Sequence, residues 1–141
     1  MRIRATAATA AALLLANSAA SASEWVQVVQ GTDGATFQVD VSSIRIEGEV
    51  RRAWMKNIYA RHKMKGHGEN AKKFVSYTLM HLVFNCSDQS MEADALMAYF
   101  EDGSSYTGNI SDLAQFATWS PVPPDTALSS VMQSVCSWKP K

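Results

Sequence analysis

The sequence has no motif for the commonest small-enzyme chemistries. There is no G-x-S-x-G elbow, no H-E-x-x-H pair and no P-loop, so serine-hydrolase, zinc-protease and nucleotide chemistry have nothing to rest on. Cysteine is scarce, with Cys86 and Cys136 alone and no C-x-x-C spacing that would lower a thiol pKa, which argues against a redox-active pair. No apolar run reaches the ~20 residues that a membrane-spanning helix needs. Neither sign of charge is in excess, with 13 basic and 13 acidic residues in 141.

That balance hides an uneven distribution. The first 22 residues hold ten of the 20 alanines and only two charges, Arg2 and Arg4. A basic start, an apolar stretch from Thr6 to Ala16 and the small-residue triplet Ala20-Ser21-Ala22 predict a secretory signal peptide over 1–22. The apolar stretch is too short for a membrane anchor, and residues 17–24 contain no cysteine for lipid attachment. The remaining 23–141 segment carries 11 basic and 13 acidic residues, and 51 of its 119 residues are apolar. This suits one exported globular domain with a single core, not a disordered chain or a large multi-domain enzyme. Periplasm, cell surface and medium are all open destinations. Export places the two cysteines in an oxidising compartment, so a Cys86–Cys136 disulfide is expected. Closing a loop of that length removes roughly 4 kcal/mol of entropy from the unfolded chain, against a typical net stability of ~5–15 kcal/mol.

Residue patterns predict an α+β fold: an antiparallel β-sheet with one C-terminal α-helix packed on a face. Trp25–Gln30 and Ala35–Asp40 flank the turn sequence Gly31-Thr32-Asp33-Gly34, and a second hairpin turns at Gly48 into a long strand from Val50 to Ala60. Phe74–Asn85 is apolar on both alternating faces and reads as a central strand. Ser87-Asp88-Gln89 turns the chain into Met91–Phe100, which is ambiguous because Ala93, Leu96, Met97 and Phe100 also fit a helix. A turn at 101–105 leads to a short strand around Tyr106 and then a less regular stretch to Trp119. Pro121, Pro123 and Pro124 break regular structure. Leu128, Val131, Met132, Val135 and Cys136 then recur at helical spacing from near Asp125 to near Ser137. The helix covers one face of the sheet. The other, carrying either the Tyr77/Leu79/His81/Val83 or the Phe74/Met80/Leu82/Phe84 set, needs cover from loops or a second copy, so a homodimer is expected.

The strongest functional signal is charge placement. Arg51, Arg52, Lys56, Arg61, Lys63, Lys65, Lys72 and Lys73 are opposed within their segment only by Glu69, a local net of +7, whereas the rest of the domain carries −9. These eight residues are the candidate partner-binding set, suited to an acidic protein segment, a sulfated glycan or an anionic lipid headgroup. The competing reading is a solvated loop whose lysines keep a sheet edge from pairing with another sheet. Nucleic acid is disfavoured because no recognition motif accompanies the charge. His62, His67 and His81 do not make a metal set, because two of them sit in a glycine-containing loop, the third lies in a strand, and no free cysteine remains. No cofactor is expected. Glu92/Asp94 and Glu101-Asp102 could pair as acid and base in principle, but adjacent acids at a turn are usually solvated, and no catalytic residue is assigned.

The ordered landmarks resemble the surface-adhesin protein E family. They are Trp25, the segment Val39-Asp40-Val41-Ser42-Ser43-Ile44, Trp54 in the long strand, the aromatic strand ending at Cys86, and Trp119-Ser120-Pro121-Val122-Pro123-Pro124 leading to a helix ending Val135-Cys136. The resemblance covers essentially all of 23–141. It implies an antiparallel sheet flanked by a C-terminal helix with the cysteines bridged, and non-catalytic binding of host extracellular-matrix and serum proteins by some members at the bacterial surface. The expected function is an exported binding module. A periplasmic accessory protein docking on envelope components is the alternative, and a small hydrolase comes third.

Overall fold

The computed structural model describes residues 22–108 and 118–141. The leader expected at 1–22 lies outside them except for its last residue, as does most of the irregular stretch before Trp119. The strands are β1 (Trp25–Gln30), β2 (Thr36–Asp40), β3 (Arg45–Glu47), β4 (Val50–Ile58), β5 (Met64–Lys65), β6 (Phe74–Asn85), β7 (Ser90–Phe100), β8 (Ser105–Gly108) and β9 (Ser120–Pro121), followed by helix α1 (Ala127–Ser137). They form one antiparallel sheet in the order β1-β2-β4-β6-β7-β8, with β3 added to β4, β5 to β6 and β9 to β7.

Alternation along the long strands decides which side chains meet the helix. Ala53 and Met55 of β4 lie opposite Leu82 and Met80 of β6, while Trp54 and Lys56 lie opposite His81 and Leu79 on the other face. Leu82 and Phe84 are fully buried, together with Val131 and Val135 of the helix. The Met80/Leu82/Phe84 set is therefore the one that faces the core, and Tyr77/Leu79/His81 lies on the open face.

Two bulges shift this alternation. In β6, Ser76 is the extra residue between the pairs Val75–Phe100 and Tyr77–Tyr99. In β7, Asp94 is the extra residue between Ala93 and Ala95. The second bulge explains why β7 mimics a helix in sequence. Met91, Ala93, Leu96, Ala98 and Phe100 face the core, and the one-residue step at Asp94 converts strict alternation into an i, i+3 spacing.

Helix α1 starts at a reciprocal cap, in which Thr126 Oγ1 accepts from Ser129 N and Ser129 Oγ accepts from Thr126 N, each at 3.1 Å. It packs on β1, β2 and β4 and buries Val131, Met132 and Val135. Cys136 in its last turn is bonded to Cys86, one residue beyond β6, with Cα atoms 5.8 Å apart. At the same end Arg51 Nη1 donates to the Trp138 carbonyl at 3.1 Å. On the far side Asp40, itself buried, accepts from Glu24 N at 2.9 Å and from the Ser42 backbone at 3.1 Å, as well as from the Ser42 hydroxyl. Burial opposes ionisation there, but these hydrogen bonds outweigh it and hold the carboxyl below its ordinary pKa.

Candidate functional site

The β4–β6 connection is an ordered hairpin extension. Tyr59 N donates to Ser76 O and carries the ladder past Ile58. A turn follows in which Lys63 N donates to Ala60 O, with His62 at φ 58°. Met64 and Lys65 then pair with Val75 and Phe74, and Gly66 N donates to Lys73 O at 2.9 Å. A single 3-10 turn over Gly68–Asn70 brings the chain back.

This extension is fastened to the β7–β8 turn. Glu101 accepts from His62 N at 2.7 Å, its other oxygen lies 2.9 Å from His62 Nε2, and the His62 ring tilts against Phe74 at 4.8 Å. Lys73 Nζ donates to Ser104 Oγ at 2.8 Å and lies 3.5 Å from Asp102. Hydrogen bonds from the Ser104 hydroxyl and backbone, followed by the Lys73 ammonium, hold Asp102 below the usual carboxylate range.

The eight basic residues separate into three places. Arg61, Lys63, Lys65 and Lys72 are exposed on the extension, with half-buried Lys73 at its base. Arg52 and Lys56 lie on the open face. Arg52 Nε is 3.4 Å from Glu47, and its Nη1 is 3.7 Å from Asp94. Lys56 Nζ sits 4.1 Å from the Trp25 ring centre and 5.7 Å from that of Tyr77. Arg51 faces the helix side, holds the Trp138 carbonyl, and lies roughly 20 Å or more along β4 from the extension. It does not join the others.

Charge in space is thus more even than charge along the chain. Around the extension, five cations meet Glu69, Glu101 and Asp102, a net of +2. Position counting includes Glu69 but misses Glu101 and Asp102, because they come from a turn some 30 residues later. The signal that points to them is the pairing of β6 with β7, which brings the start of one strand beside the end of the other.

On the open face the bulge at Asp94 turns its carboxylate toward His81 Nδ1 at 2.6 Å, and the Trp54 ring lies 5.1 Å from the imidazole. Farther along the same face Tyr77 and Tyr99 stack at 4.5 Å. Sequence reading named His81 and Asp94 separately and missed their pairing, because a bulge leaves no mark in composition. Two cavities lie at the extension, and neither is lined by His81, Asp94 or Glu92. Among the described residues no group of three His, Cys, Asp or Glu could hold a metal ion, and no helix is long and apolar enough to cross a membrane.

An open sheet with a disulfide-pinned helix on one face, and aromatic and charged side chains on the other, defines a small α+β binding domain. The surface-adhesin protein E family model matches residues 25–137, and the chain belongs to that family. The family consists of surface adhesins, a non-enzymatic kind of protein. The selenomethionine form of Haemophilus influenzae protein E is similar in structure, with a TM-score of 0.55 and 14% identity over 80% of this chain and 85% of that one. A second structure of Haemophilus influenzae protein E gives a TM-score of 0.52, again at 14% identity, over 80% and 83%. At that identity the likeness concerns the fold. No curated protein sequence matches the chain.

Proposed function

We propose that this protein is an exported, non-catalytic adhesin-type module that engages an acidic partner, a protein segment or sulfated glycan of extracellular-matrix type, through the β4–β6 extension. One observation carries the reading. Arg61, Lys63, Lys65 and Lys72 are exposed on a hydrogen-bonded hairpin, and none of them forms a salt bridge within the described residues. An ordered cation cluster that keeps a net positive charge steers an acidic partner without a prior ordering cost. Lys73 and Arg52 contribute less, because acids of the same chain already engage them, and so does Lys56, which sits 4.1 Å from the Trp25 ring. Lys65 keeps a longer contact of 5.8 Å with the Phe74 ring and remains exposed. Arg51 is left out of the docking set.

Retention on immobilised heparin and on polyglutamate tests the reading. Elution should shift to lower salt in the R61Q/K63Q/K65Q variant, with the association rate falling more than the dissociation rate rises. Salt-independent retention, or retention unchanged in the folded variant, would remove the extension as the docking surface and favour the accessory-protein alternative. The second copy expected on the open face belongs to the same reading. Tyr77, Leu79, Met97 and Tyr99 are all half-buried there, and sedimentation at high protein concentration should show a dimer. A monomer at all concentrations would withdraw it.

A further inference from the structure

Helix α1 closes only part of the sheet's inner face. It packs most closely on β1, β2 and β4 and shares a buried cluster with Leu82, Phe84, Met91 and Ala93, whereas Met80 and Leu96 at the edge of that cluster are only partly covered. The β4–β6 extension covers that edge and leaves a cavity of about 570 Å³ beneath it. The floor is apolar, with Met80 and Leu96 half-buried although both sit mid-strand, and with Ala98 and Phe100 beside them. Their strand neighbours Leu82 and Phe84, under the helix, are fully buried.

Backbone geometry and hydrogen bonds set how closely the roof approaches the floor. A Cβ on Gly66 would lie 2.5 Å from Asn70 O and 3.0 Å from Phe100 Cε1, so only glycine lets the loop come this close. The Gly66–Lys73 backbone bond and the Met64–Val75 pair set its span. Apart from Thr78, which lies opposite Ala98 on the floor, the polar groups stand at the walls and rim. Tyr59, whose hydroxyl accepts from Asn57 Nδ2 at 3.0 Å, lines one side, and Lys65, His67 and Glu69 stand at the mouth. Arg61 lines a smaller hollow that shares Tyr59.

We propose that this cavity is a binding site for a single aliphatic chain carrying a carboxylate, a free fatty acid, with the chain on the Met80–Leu96–Phe100 floor and the carboxylate at Lys65. The volume lies in the ~300–1,000 Å³ range of small-molecule sites, which are mostly apolar with a few placed polar groups. Burying the chain removes apolar surface from water on both partners, at ~25 cal/mol per Å². The excess of cations over acids on the extension selects an anionic head over a neutral one. This site is distinct from the outer docking surface proposed above, although Lys65 is common to both.

Titration of the purified protein with cis-parinaric acid, a fluorescent 18-carbon carboxylate, should show saturable binding of one molecule per chain, displaced by unlabelled decanoate. Ala98→Leu fills the floor without touching an exposed charge. It should weaken binding about tenfold or more while leaving salt-dependent retention on heparin unchanged. Lys65→Glu should weaken decanoate and leave decanol, which has no charge, nearly unaffected. Absence of saturable binding would overturn the proposal. So would displacement by acetate at equal concentration, which would mean charge alone is recognised, or equal affinity in the wild type and in folded Ala98→Leu.

Discussion

The two ends of the sheet's inner face are built from the same strands and closed by different means. Under the helix, Leu82, Phe84, Val131 and Val135 have no exposed surface to speak of, and the cover is fixed by a covalent bond from Cys136 to Cys86. Under the β4–β6 extension, Val75, Ala98 and Phe100 form a smaller cluster beside a cavity, and the cover is held by His62–Glu101 and Lys73–Asp102 contacts near the surface. Close-packed interiors tolerate little displacement. The helix end therefore supplies most of the stability, and the extension end, where the proposed partner and ligand would dock, is the more yielding part of the molecule.

The sharpest way to break this contrast is to cut the covalent fastener. Cys136→Ser, or reduction of the wild type, should cost roughly 2–5 kcal/mol in urea unfolding. The unmutated protein should show no free thiol when denatured under non-reducing conditions. A loss below about 1 kcal/mol would mean that packing of Val131 and Val135 alone holds the helix, and that the two ends differ less than their burial implies.

Asp40 sharpens the comparison from the helix end. Its pKa is lower in the folded protein than in the unfolded chain, so its contribution is fully present above the unfolded value and is lost as pH falls through the folded one. Asp40→Asn should cost about 1–2 kcal/mol at neutral pH, the scale of a charge-assisted hydrogen-bond set. The difference from wild type should shrink below about pH 4. Equal offsets at pH 7 and pH 3 would show that shape, not charge, fastens the start of β1 to the Val41–Ser43 turn.

Legibility in the sequence follows the same division. The central strand, the capped C-terminal helix and the disulfide were readable, because each has a local signature: two apolar faces on Phe74–Asn85, a 3.6-residue stripe after three prolines, and two cysteines behind a sequence that reads as a leader. Met91–Phe100 was ambiguous because a single bulge residue, Asp94, gives a strand a helical spacing. The basic segment was found by counting, but its partial neutralisation by Glu101 and Asp102 depends on strand pairing that no local pattern encodes. Arg51 illustrates the same limit. It sits beside Arg52 in sequence and on the opposite face of the sheet, where it binds a backbone carbonyl at the end of the helix.

The smallest expected effect lies at the extension. Glu101 accepts the His62 backbone N–H and contacts the His62 ring, so Glu101→Ala removes both contacts of His62 with the β7–β8 turn and leaves those of Lys73 with Ser104 and Asp102 in place. Exposed ion pairs contribute ~0–1 kcal/mol, and the extension shares no residue with the helix-covered core. Global stability should therefore fall by less than about 1 kcal/mol. The local result should be larger than the global one: amide hydrogens of Lys63 and Gly66 should exchange faster in the variant, while those of Leu82 and Val83 keep their wild-type protection. If the core amides lose protection together with those of the extension, the sheet opens as one cooperative unit and the proposed division between a rigid helix end and a yielding extension end is wrong.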